Sequence, residues 1–443
     1  MASSRCAQIF SGGAQFCGSN PLRIVKRRRL ASTGKSLRLQ IENKIFDPQD
    51  IRIEKSLGVV GVLNVSSGNV GEIAVEDKAE LRAKLEGLET MSQDSVLAEG
   101  VQVRLYSGRV IRGEKQGARV VLKAYPGSLG ADGKTCDALA ANELAAHCDL
   151  QPPRCRESCS QLYSLLGGFE SKTGEQWLVF HNDGTKTAAA YASKAAVATR
   201  DRLTVGSSDV WDSLDPRRSI RKREVFILKV LKQAMAALAF MHRNGRLHQS
   251  LGPNSLMLTT FEELKVVDLE VRLWDLAFSV DVSNEALYGG GTLAEIWDMS
   301  TANKTVTEKP GSFLTDGLWK RARDRGAWST PERREFGFAD DVYSAGLLFL
   351  YMVFVSLCEP GSVDGPTIQR LVEGTFRSDV REFREYCREE ENWSLAVRFL
   401  DAGEGSGWAL LEAMLNPEWR GRPSAAACLS HPFLTGEAFA DGL

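Results

Sequence analysis

The sequence has 443 residues and a mass of 48.7 kDa, and 43 % of its residues are hydrophobic and 25 % charged. These proportions are typical of globular proteins and exclude wholesale disorder, collagen and a small disulfide scaffold. The formal net charge of −2 gives no general attraction to polyanions, so we expect no nucleic-acid partner. The longest apolar run, Ala345 to Cys358, has 14 residues, short of the roughly 20 that a membrane span needs, and no span is expected.

The first part of the chain differs in charge from the rest. Residues 1–40 contain eight Lys and Arg and no Asp or Glu, which gives them a net charge of +8 and leaves −10 for residues 41–443. A basic segment rich in Ser, Ala and Gly is typical of organelle transit peptides, and the hydroxyl-rich start favours a chloroplast. We predict a chloroplast transit peptide over 1–45 and an N-terminal extension over 46–97. The alternatives are a disordered basic tail and a nuclear address at Lys26–Arg29.

Short strand-like segments follow from Val101 onward. The segments VQVRLYSGRVIRG, ARVVLKAY and QWLVFHNDG predict strands, because they are rich in β-branched and aromatic residues between turn signals. A turn is predicted at Gly113–Gly117 and a helix at Cys136–His147. This strand-rich part of the chain ends near Gly184.

Beyond that point the pattern becomes helical. Apolar residues between Ile227 and Met241 recur at the spacing of one helix face. A nearly all-apolar helix is predicted to begin at Asp341. Residues 281–328 have few apolar residues and predict a long loop.

Several residues with phosphate and metal chemistry occur in a fixed order along this pattern. Lys123 ends a predicted strand, and Glu143 follows on the next predicted helix, where it can form an ion pair with the lysine. Nucleotide chemistry in a cleft needs a cation on the phosphates, an acid for the metal ion and a base for the acceptor hydroxyl. The later segments are RLHQSLGPNSLML, KVVDLE, VRLWDLAFS, STPE, DVYSAG and RGRPS.

In the order and spacing of these segments, residues 98–436 resemble the eukaryotic protein-kinase superfamily. Their sequence is also similar in character to chloroplast kinases and kinase-like proteins of plants. The resemblance implies an α+β fold with a β-rich N-lobe over 98–183 and a mainly helical C-lobe over 184–436. It also implies that Lys123 binds the α- and β-phosphates of ATP and that Glu143 is its ion-pair partner.

The same resemblance assigns structural roles to four other residues. Glu332 is expected to pair with Arg422, and Asp341 is expected to support the loop that carries the catalytic residues. His248 is expected to hydrogen-bond nearby backbone rather than to act as a base.

The catalytic positions depart from the family pattern. Ser250 occupies the position of the aspartate base, Gly252 that of a lysine, and Ser255 that of the metal-binding asparagine. A serine has no carboxylate to accept a proton, and the loss of a general base costs about 10²–10⁴ in rate. Two aspartates match the second metal-binding position: Asp275 is favoured, and Asp268 is the alternative.

The segment at the position of the phosphate-covering loop also departs from the family pattern. Its match is VRLYSGRV, where Val103 and Leu105 take the first two glycine positions and only Gly108 remains. Backbone N–H groups approach phosphates closely only where side chains are absent, so this segment favours an ordinary hairpin as much as a phosphate loop.

Four thiol and imidazole side chains lie close together in sequence at His147, Cys148, Cys155 and Cys159. Three interpretations of these residues remain: a zinc site, a redox-switchable cysteine pair, or unreactive thiols. The odd number of nine scattered cysteines favours a reducing compartment.

The preferred hypothesis is a plastid pseudokinase that binds ATP weakly, with Mg²⁺ at Asp275, and acts as a scaffold or allosteric partner of another protein. The alternative is an active, atypical Ser/Thr kinase or nucleotidyl transferase that uses Asp275 or Asp268 with Mg²⁺ or Mn²⁺. As a kinase it would transfer the γ-phosphate of ATP to a hydroxyl of a protein substrate.

Overall fold

The architecture was obtained as a computed structural model. The described residues are 46–62, 101–126, 133–152, 154–184, 186–205, 216–288 and 313–440. The predicted transit peptide lies outside these residues, and so does the central part of the predicted long loop, 289–312.

The first region is a five-stranded antiparallel sheet with the strand order β1-β2-β3-β5-β4. Its strands are β1 (Ile51–Val62), β2 (Val101–Val110), β3 (Arg119–Tyr125), β4 (Leu165–Glu170) and β5 (Gln176–His181). The central strand β3 is buried in all but its first residue, which explains its run of β-branched and aromatic side chains.

The sheet begins before the predicted boundary at residue 98. Strand β1 comes from the segment that the sequence assigned to an N-terminal extension, and it pairs with β2 from Ile51↔Val110 to Val62↔Val101. Sequence patterning missed this strand because residues 52–56 are charged or polar except for Ile53 and are exposed along the sheet edge.

Helix α1 (Gly133–Leu150) packs against β4, β5 and the short 3₁₀ turn Leu276–Phe278. The Asn142 side-chain amide joins the two regions, since its Nδ2 donates to the carbonyl oxygens of Ala277 and Ser279 at 2.7 and 2.8 Å. The predicted helix Cys136–His147 lies entirely inside α1.

The second region is mainly helical, with three short strand pairings. The strands are β6 (Lys186–Thr187), β7 (Arg246–Leu247), β8 (Leu256–Leu258), β9 (Val271–Leu273) and β10 (Val280–Asp281). The helices are α2 (Ala188–Val205), α3 (Pro216–Arg243), α4 (Asn284–Tyr288), α5 (Phe313–Asp324), α6 (Thr330–Leu357), α7 (Gly365–Gln369), α8 (Val380–Glu389), α9 (Ser394–Leu400), α10 (Ala402–Met414), α11 (Ala425–Leu429) and α12 (Pro432–Thr435).

Two long helices, α3 and α6, form the centre of this region. The predicted apolar stripe of α3 is buried in one core cluster with α6, as helical periodicity requires; it comprises Ile227, Val230, Leu231, Ala234, Leu238 and Met241. Both helices are long and apolar enough to cross a membrane by length and composition, and 56 % and 78 % of their apolar windows are buried inside the fold.

Helix α6 begins at Thr330, well before the predicted start at Asp341. Ser329 caps it: its side chain accepts from the Glu332 N–H, and the Glu332 carboxylate accepts from the Ser329 N–H. This capping box satisfies backbone donors that would otherwise have no partner, and it extends the helix through a polar first half.

The prediction of an uninterrupted loop over 281–328 is wrong, because α4 and α5 lie within it. Leu318 and Ala322 of α5 are one helical turn apart, and both are buried against Phe336 and Trp419. Two apolar residues at this spacing are enough to bury one face of a short helix when a partner surface is available.

Candidate functional site

Lys123 is buried at the interface between the two regions. It lies in β3 opposite Leu105 and Leu178 and is 1 % exposed. Its Nζ is 2.9 Å from Glu143 Oε2 and 2.5 Å from Asp275 Oδ1. The ion pair that the sequence predicted between Lys123 and Glu143 is therefore present, and Asp275 joins it.

Aromatic rings enclose this ion-pair cluster. The Lys123 Nζ lies 5.4 Å from the centroid of the Tyr125 ring and 5.2 Å from that of Trp274, both within range of a cation–π interaction. The Tyr125 hydroxyl donates to Glu143 Oε2. Burial, and then the Glu143 and Asp275 carboxylates, raise the pKa of Tyr125 well above its usual value, so the phenol stays protonated.

The titration of the cluster follows from burial and from its charges. Burial opposes the Lys123 charge, but Asp275 and Glu143 outweigh it and raise the pKa of the lysine. Burial raises the pKa of Glu143, and Lys123 counteracts this only in part. One lysine with two carboxylates leaves the site with an excess of negative charge, which disfavours a bare phosphate unless a cation accompanies it.

Asp275 and Asp268 lie in different surroundings. Asp275 follows β9 with a left-handed backbone (φ 65°) that turns its carboxylate toward Lys123. Asp268 ends an exposed 3₁₀ segment, Glu263–Asp268, and its backbone carbonyl accepts from the Thr259 hydroxyl. The structure therefore brings Asp275 into the site and leaves Asp268 on the surface.

The loop from His248 to Ser255 is held by Asp341. The backbone N–H groups of His248 and Gln249 donate to its carboxylate at 2.7 and 2.9 Å. The His248 Nε2 lies 3.0 Å from the Trp274 carbonyl oxygen, and burial lowers the pKa of this imidazole. These contacts are the supporting roles that the family resemblance implied for Asp341 and His248.

Ser250 and Ser255 are both engaged in contacts within this loop. The Ser250 hydroxyl donates to the backbone carbonyl of Asp275 at 3.1 Å. The Ser255 hydroxyl donates to the Gly252 carbonyl at 2.7 Å and accepts from the Gly252 N–H at 2.9 Å. A neutral hydroxyl bonded to backbone in this way neither removes a proton nor offers an anionic oxygen to a metal ion.

Gly108 lies inside strand β2, which agrees with the hairpin interpretation of this segment, and its role in nucleotide binding stays a prediction. It pairs with Ile53 on one side and Val120 on the other. A Cβ at this position would meet the Arg52 carbonyl oxygen at 2.6 Å, which explains the glycine as a close approach of two strands. Val103 and Leu105 are buried in the same strand.

The predicted ion pair between Glu332 and Arg422 is also wrong. Glu332 pairs with Arg420 at 3.2 Å on the surface, whereas Arg422 donates to the carbonyl oxygens of Asn416 and Ala339 at 2.8 and 3.1 Å. Because α6 continues from Glu332 without a break, Glu332 stays at the exposed start of the helix.

Sequence reasoning missed three residues of the site. Tyr125 is two positions after Lys123 in β3, and Trp274 directly precedes Asp275. His147 is four positions after Glu143 and therefore lies on the same face of α1. These spacings were a usable signal, since residues at i+2 in a strand and i+4 in a helix share a face.

His147 is buried beside the cluster and bears no charge at neutral pH. Its Nδ1 lies 3.3 Å from the Gln151 side-chain amide, and its Nε2 has no hydrogen-bond partner among the described residues. Burial, with Lys123 and His248 nearby, lowers its pKa to about 3. The ring meets Phe180 edge-on at 5.2 Å between centroids.

None of the described cysteines forms a disulfide bond. Cys155 donates to Asn244 Oδ1 at 3.5 Å and Cys159 to Gln161 Oε1 at 3.4 Å, while Cys148 is buried. In the part of the chain that the structure describes, no group of three or more His, Cys, Asp or Glu side chains is placed to hold a metal ion. These contacts give the zinc hypothesis no support.

An antiparallel sheet followed by a mainly helical region, with a buried lysine between a helix glutamate and the aspartate after β9, defines a protein-kinase fold. No family model matches the chain. Over 297 residues it is 25 % identical to the chloroplastic serine/threonine-protein kinase STN7 of Arabidopsis thaliana, covering 63 % of this chain and 47 % of that protein. It is therefore a protein-kinase-like chain with distant similarity to a chloroplast kinase.

Two further similarities were found. The chloroplastic serine/threonine-protein kinase STN8 of Arabidopsis thaliana is 24 % identical over 267 residues, which cover 59 % of this chain and 49 % of that protein. A crystal structure of an Stt7 homolog from Micromonas algae, soaked with ATP, is 17 % identical, with a TM-score of 0.48 over 91 % of this chain and 98 % of that one. The chain spans about half the length of STN7 and STN8.

Proposed function

We propose that the chain is a catalytically impaired, protein-kinase-like protein that binds ATP weakly and acts through contacts with another protein. The observation that carries this proposal is Ser250. At the position expected for the base, a hydroxyl bonds to the Asp275 backbone. The supporting contacts around it, from the ion pair of Lys123 to the hydrogen bonds of Asp341 with the loop, are present.

The buried cluster supports nucleotide binding of a particular kind. Lys123 is the cation available to phosphate oxygens, and Glu143 fixes its position. Asp275 Oδ1 already forms an ion pair with Lys123 Nζ at 2.5 Å, so a triphosphate must compete with this carboxylate for the lysine. We therefore expect weak binding that requires a divalent cation to offset the extra negative charge.

Asp275 fits Mg²⁺ as a single carboxylate ligand. Mg²⁺ is commonly held by one or two carboxylates together with substrate phosphates and water. The second protein ligand is lacking, because the Ser255 hydroxyl is engaged with Gly252. When bound, the ion would neutralise phosphate charge, while Lys123 and Asp275 orient the phosphates.

An active, atypical kinase is the second candidate, and Asp275 is the residue that favours it. This carboxylate faces the interface between the two regions and could act with a metal ion in phosphoryl transfer. A protein hydroxyl would be its substrate, as the names of STN7 and STN8 suggest by analogy.

Thermal unfolding with ATP, with and without Mg²⁺, followed by turnover of labelled ATP, separates the two candidates. We expect Mg·ATP to raise the unfolding temperature of the wild type but not of Lys123→Ala, with no turnover by either protein. Lys115→Ala, an exposed lysine before the same strand, is the matched control and should behave as wild type. Wild-type turnover that Lys123→Ala abolishes would establish the active kinase instead.

A gain-of-function variant sharpens the test. Ser250→Asp combined with Ser255→Asn returns a carboxylate and an amide to the loop that Asp341 anchors. If these two side chains are what is missing, the double variant should gain measurable phosphoryl transfer, and the removal of Lys123 should abolish it again.

We also propose a plastid location. The basic, acid-free residues 1–40 and the chloroplastic location of STN7 and STN8 support it. A fluorescent fusion of residues 1–60 should enter chloroplasts, and accumulation in the nucleus or cytosol would refute the proposal.

A further inference from the structure

Strand β9 leads directly to Asp275, because only Trp274 separates the end of the strand from this residue. The strand pairs with β8 in the helical region, yet further contacts attach it to the region of the five-stranded sheet, which we name the sheet region. Asp275 Oδ1 lies 2.5 Å from Lys123 Nζ, and Lys123 belongs to the sheet region. The contacts that hold β9 therefore also hold this ion pair.

Two backbone hydrogen bonds form the first attachment. The Leu273 N–H donates to the Gln161 carbonyl oxygen at 2.7 Å, and the Leu273 carbonyl oxygen accepts from the Tyr163 N–H at 2.9 Å. Gln161 and Tyr163 belong to the segment before β4, so β9 forms a short parallel bridge to the sheet region at Leu162↔Leu273. Because these bonds join backbone groups, a side-chain substitution leaves them in place.

An ion pair between Arg272 and Asp183 forms the second attachment. Arg272 lies in β9; its Nη1 is 2.8 Å from Asp183 Oδ2, and its Nη2 is 2.8 Å from Glu270 Oε2. The side chains of Arg272 and Asp183 are only 18 % and 17 % exposed. Water and salt screen a partly buried pair less than an exposed one, so this pair is a stronger link than a surface pair. It joins the two regions, since Asp183 follows β5 of the sheet.

Asp183 is itself held in place. His181 Nδ1 lies 2.7 Å from Asp183 Oδ1, so the carboxylate contacts the end of β5 as well as β9. The next residue, Gly184, lies against β8, because a Cβ there would meet the Leu258 carbonyl oxygen at 2.6 Å. The Gly184 carbonyl oxygen also accepts from the Tyr163 hydroxyl at 2.8 Å. The chain passes from the sheet region to the helical region at this point, and Asp183 is therefore a fixed anchor for Arg272.

The ion pair of Lys123 and Asp275 opens when the carboxylate leaves the lysine, and a shift of the end of β9 makes this easier. With β9 held at Arg272 and Leu273, such a shift requires one of the two attachments to break. The state in which Lys123 is free for a phosphate is therefore a minor one. A nucleotide that binds only this state loses affinity in proportion to its population, so an attachment that lowers the population restrains nucleotide binding.

We propose that Arg272 is a positioning residue for Asp275. Through its ion pair with Asp183 it holds β9 against the sheet region, keeps the Asp275 carboxylate on Lys123 and so restrains nucleotide binding. The effect on the ion pair belongs to the fold alone. The effect on nucleotide rests on the proposed binding of ATP at Lys123, so the two effects are measured separately.

The first experiment uses the full chain without nucleotide. Acetic anhydride is added, and the acetylation rate of Lys123, which is 1 % exposed, is followed by mass spectrometry. Arg272→Gln should be acetylated about fivefold faster at Lys123, the effect of losing one partly buried ion pair. Arg398→Gln breaks an ion pair with Glu224 inside the helical region, so it is the matched control and should keep the wild-type rate. An unchanged rate in Arg272→Gln would overturn the proposal.

Local opening is distinguished from unfolding in the same samples. Amide hydrogen exchange of α6 should be equal in the wild type and in Arg272→Gln, because the core around α6 does not include this ion pair. Arg272→Lys keeps the charge and should be acetylated at close to the wild-type rate, whereas Asp183→Asn should be as fast as Arg272→Gln. Faster acetylation with equally faster exchange of α6 would show a loss of overall stability and would refute the positioning role.

The second experiment measures the binding of Mg·ATP by isothermal titration. Arg272→Gln should bind about fivefold more tightly than the wild type, Arg398→Gln should bind as the wild type does, and the gain should disappear when Lys123→Ala is added. Unchanged or weaker binding by Arg272→Gln, together with faster acetylation, would refute the restraint on nucleotide. If neither protein binds Mg·ATP while the acetylation rates differ, the proposed nucleotide function fails and the positioning of Asp275 by Arg272 stands.

Discussion

Two neighbouring parts of the site differ in the charged groups that they contain. The cluster of Lys123, Glu143 and Asp275 keeps its charged groups, with distances of 2.9 and 2.5 Å from the lysine. The loop from His248 to Ser255 keeps only its support, because Asp341 still binds the backbone while Ser250 and Ser255 have no charge. The comparison shows that the group that holds the loop in place, Asp341, can be present while the side chains within the loop carry no charge.

The largest effect is expected from the support of the loop. Asp341→Ala removes the acceptor of two buried N–H groups and the partner of His242, which lies 2.9 Å away. We expect the free energy of unfolding to fall by about 3–5 kcal/mol in urea titrations. Asp268→Ala is the exposed control and should change it by about 0.5 kcal/mol or less. Equal losses would mean that Asp341 does not anchor the loop.

The next effect concerns the charged cluster. Lys123→Met leaves two carboxylates without their cation, and we expect a loss of about 3 kcal/mol at pH 7.5. Burial already raises the pKa of Glu143, and without Lys123 it rises further, so the folded variant binds a proton that the unfolded chain releases. The loss should therefore shrink as pH falls toward 5.5 in thermal unfolding. A loss that is constant with pH would contradict this account.

His147 gives a pH dependence of the opposite sign. Its pKa is about 3 in the folded protein against an ordinary 6.5, so between these values only the unfolded chain binds the proton. The contribution of neutral His147 to the free energy of unfolding is fully present above pH 6.5. It is lost as pH falls through this window, by about 2–3 kcal/mol at pH 4.5. In His147→Leu this part of the acid sensitivity should vanish in urea titrations at pH 7 and 4.5. An unchanged slope would place the sensitivity elsewhere.

The smallest effect separates two arginines near the end of the chain. Arg422→Ala removes two hydrogen bonds to backbone and a stack on the Tyr343 ring at 4.5 Å, and should cost about 1–2 kcal/mol. Arg420→Ala breaks a surface ion pair with Glu332 and should cost well under about 1 kcal/mol. A larger loss from Arg420→Ala than from Arg422→Ala in thermal unfolding would contradict this account of the two arginines.

Local features of the sequence predicted much of the fold. The stripe on α3, the strand that carries Lys123 and the helix that carries Glu143 were all visible, because each follows a period of two or 3.6 residues. Helix α5 was missed because, from Thr315 to Asp324, Leu318 and Ala322 alone are buried. The close approach of Gly108 to β1 could not be predicted, because β1 is far away in the sequence and exposed.

The sequence by itself determined which groups are present: a lysine and a glutamate in the order of strand and helix, and serines where a carboxylate and an amide are expected. It favoured Asp275 over Asp268 but left both open, since spacing along the chain does not specify direction in space. Only the tertiary structure, through the left-handed turn at Asp275 and the packing of α1 against the turn that follows it, places Asp275 beside Lys123. Side-chain identity is a local property, whereas the distance between Lys123 and Asp275, 152 residues apart, depends on how the two regions pack.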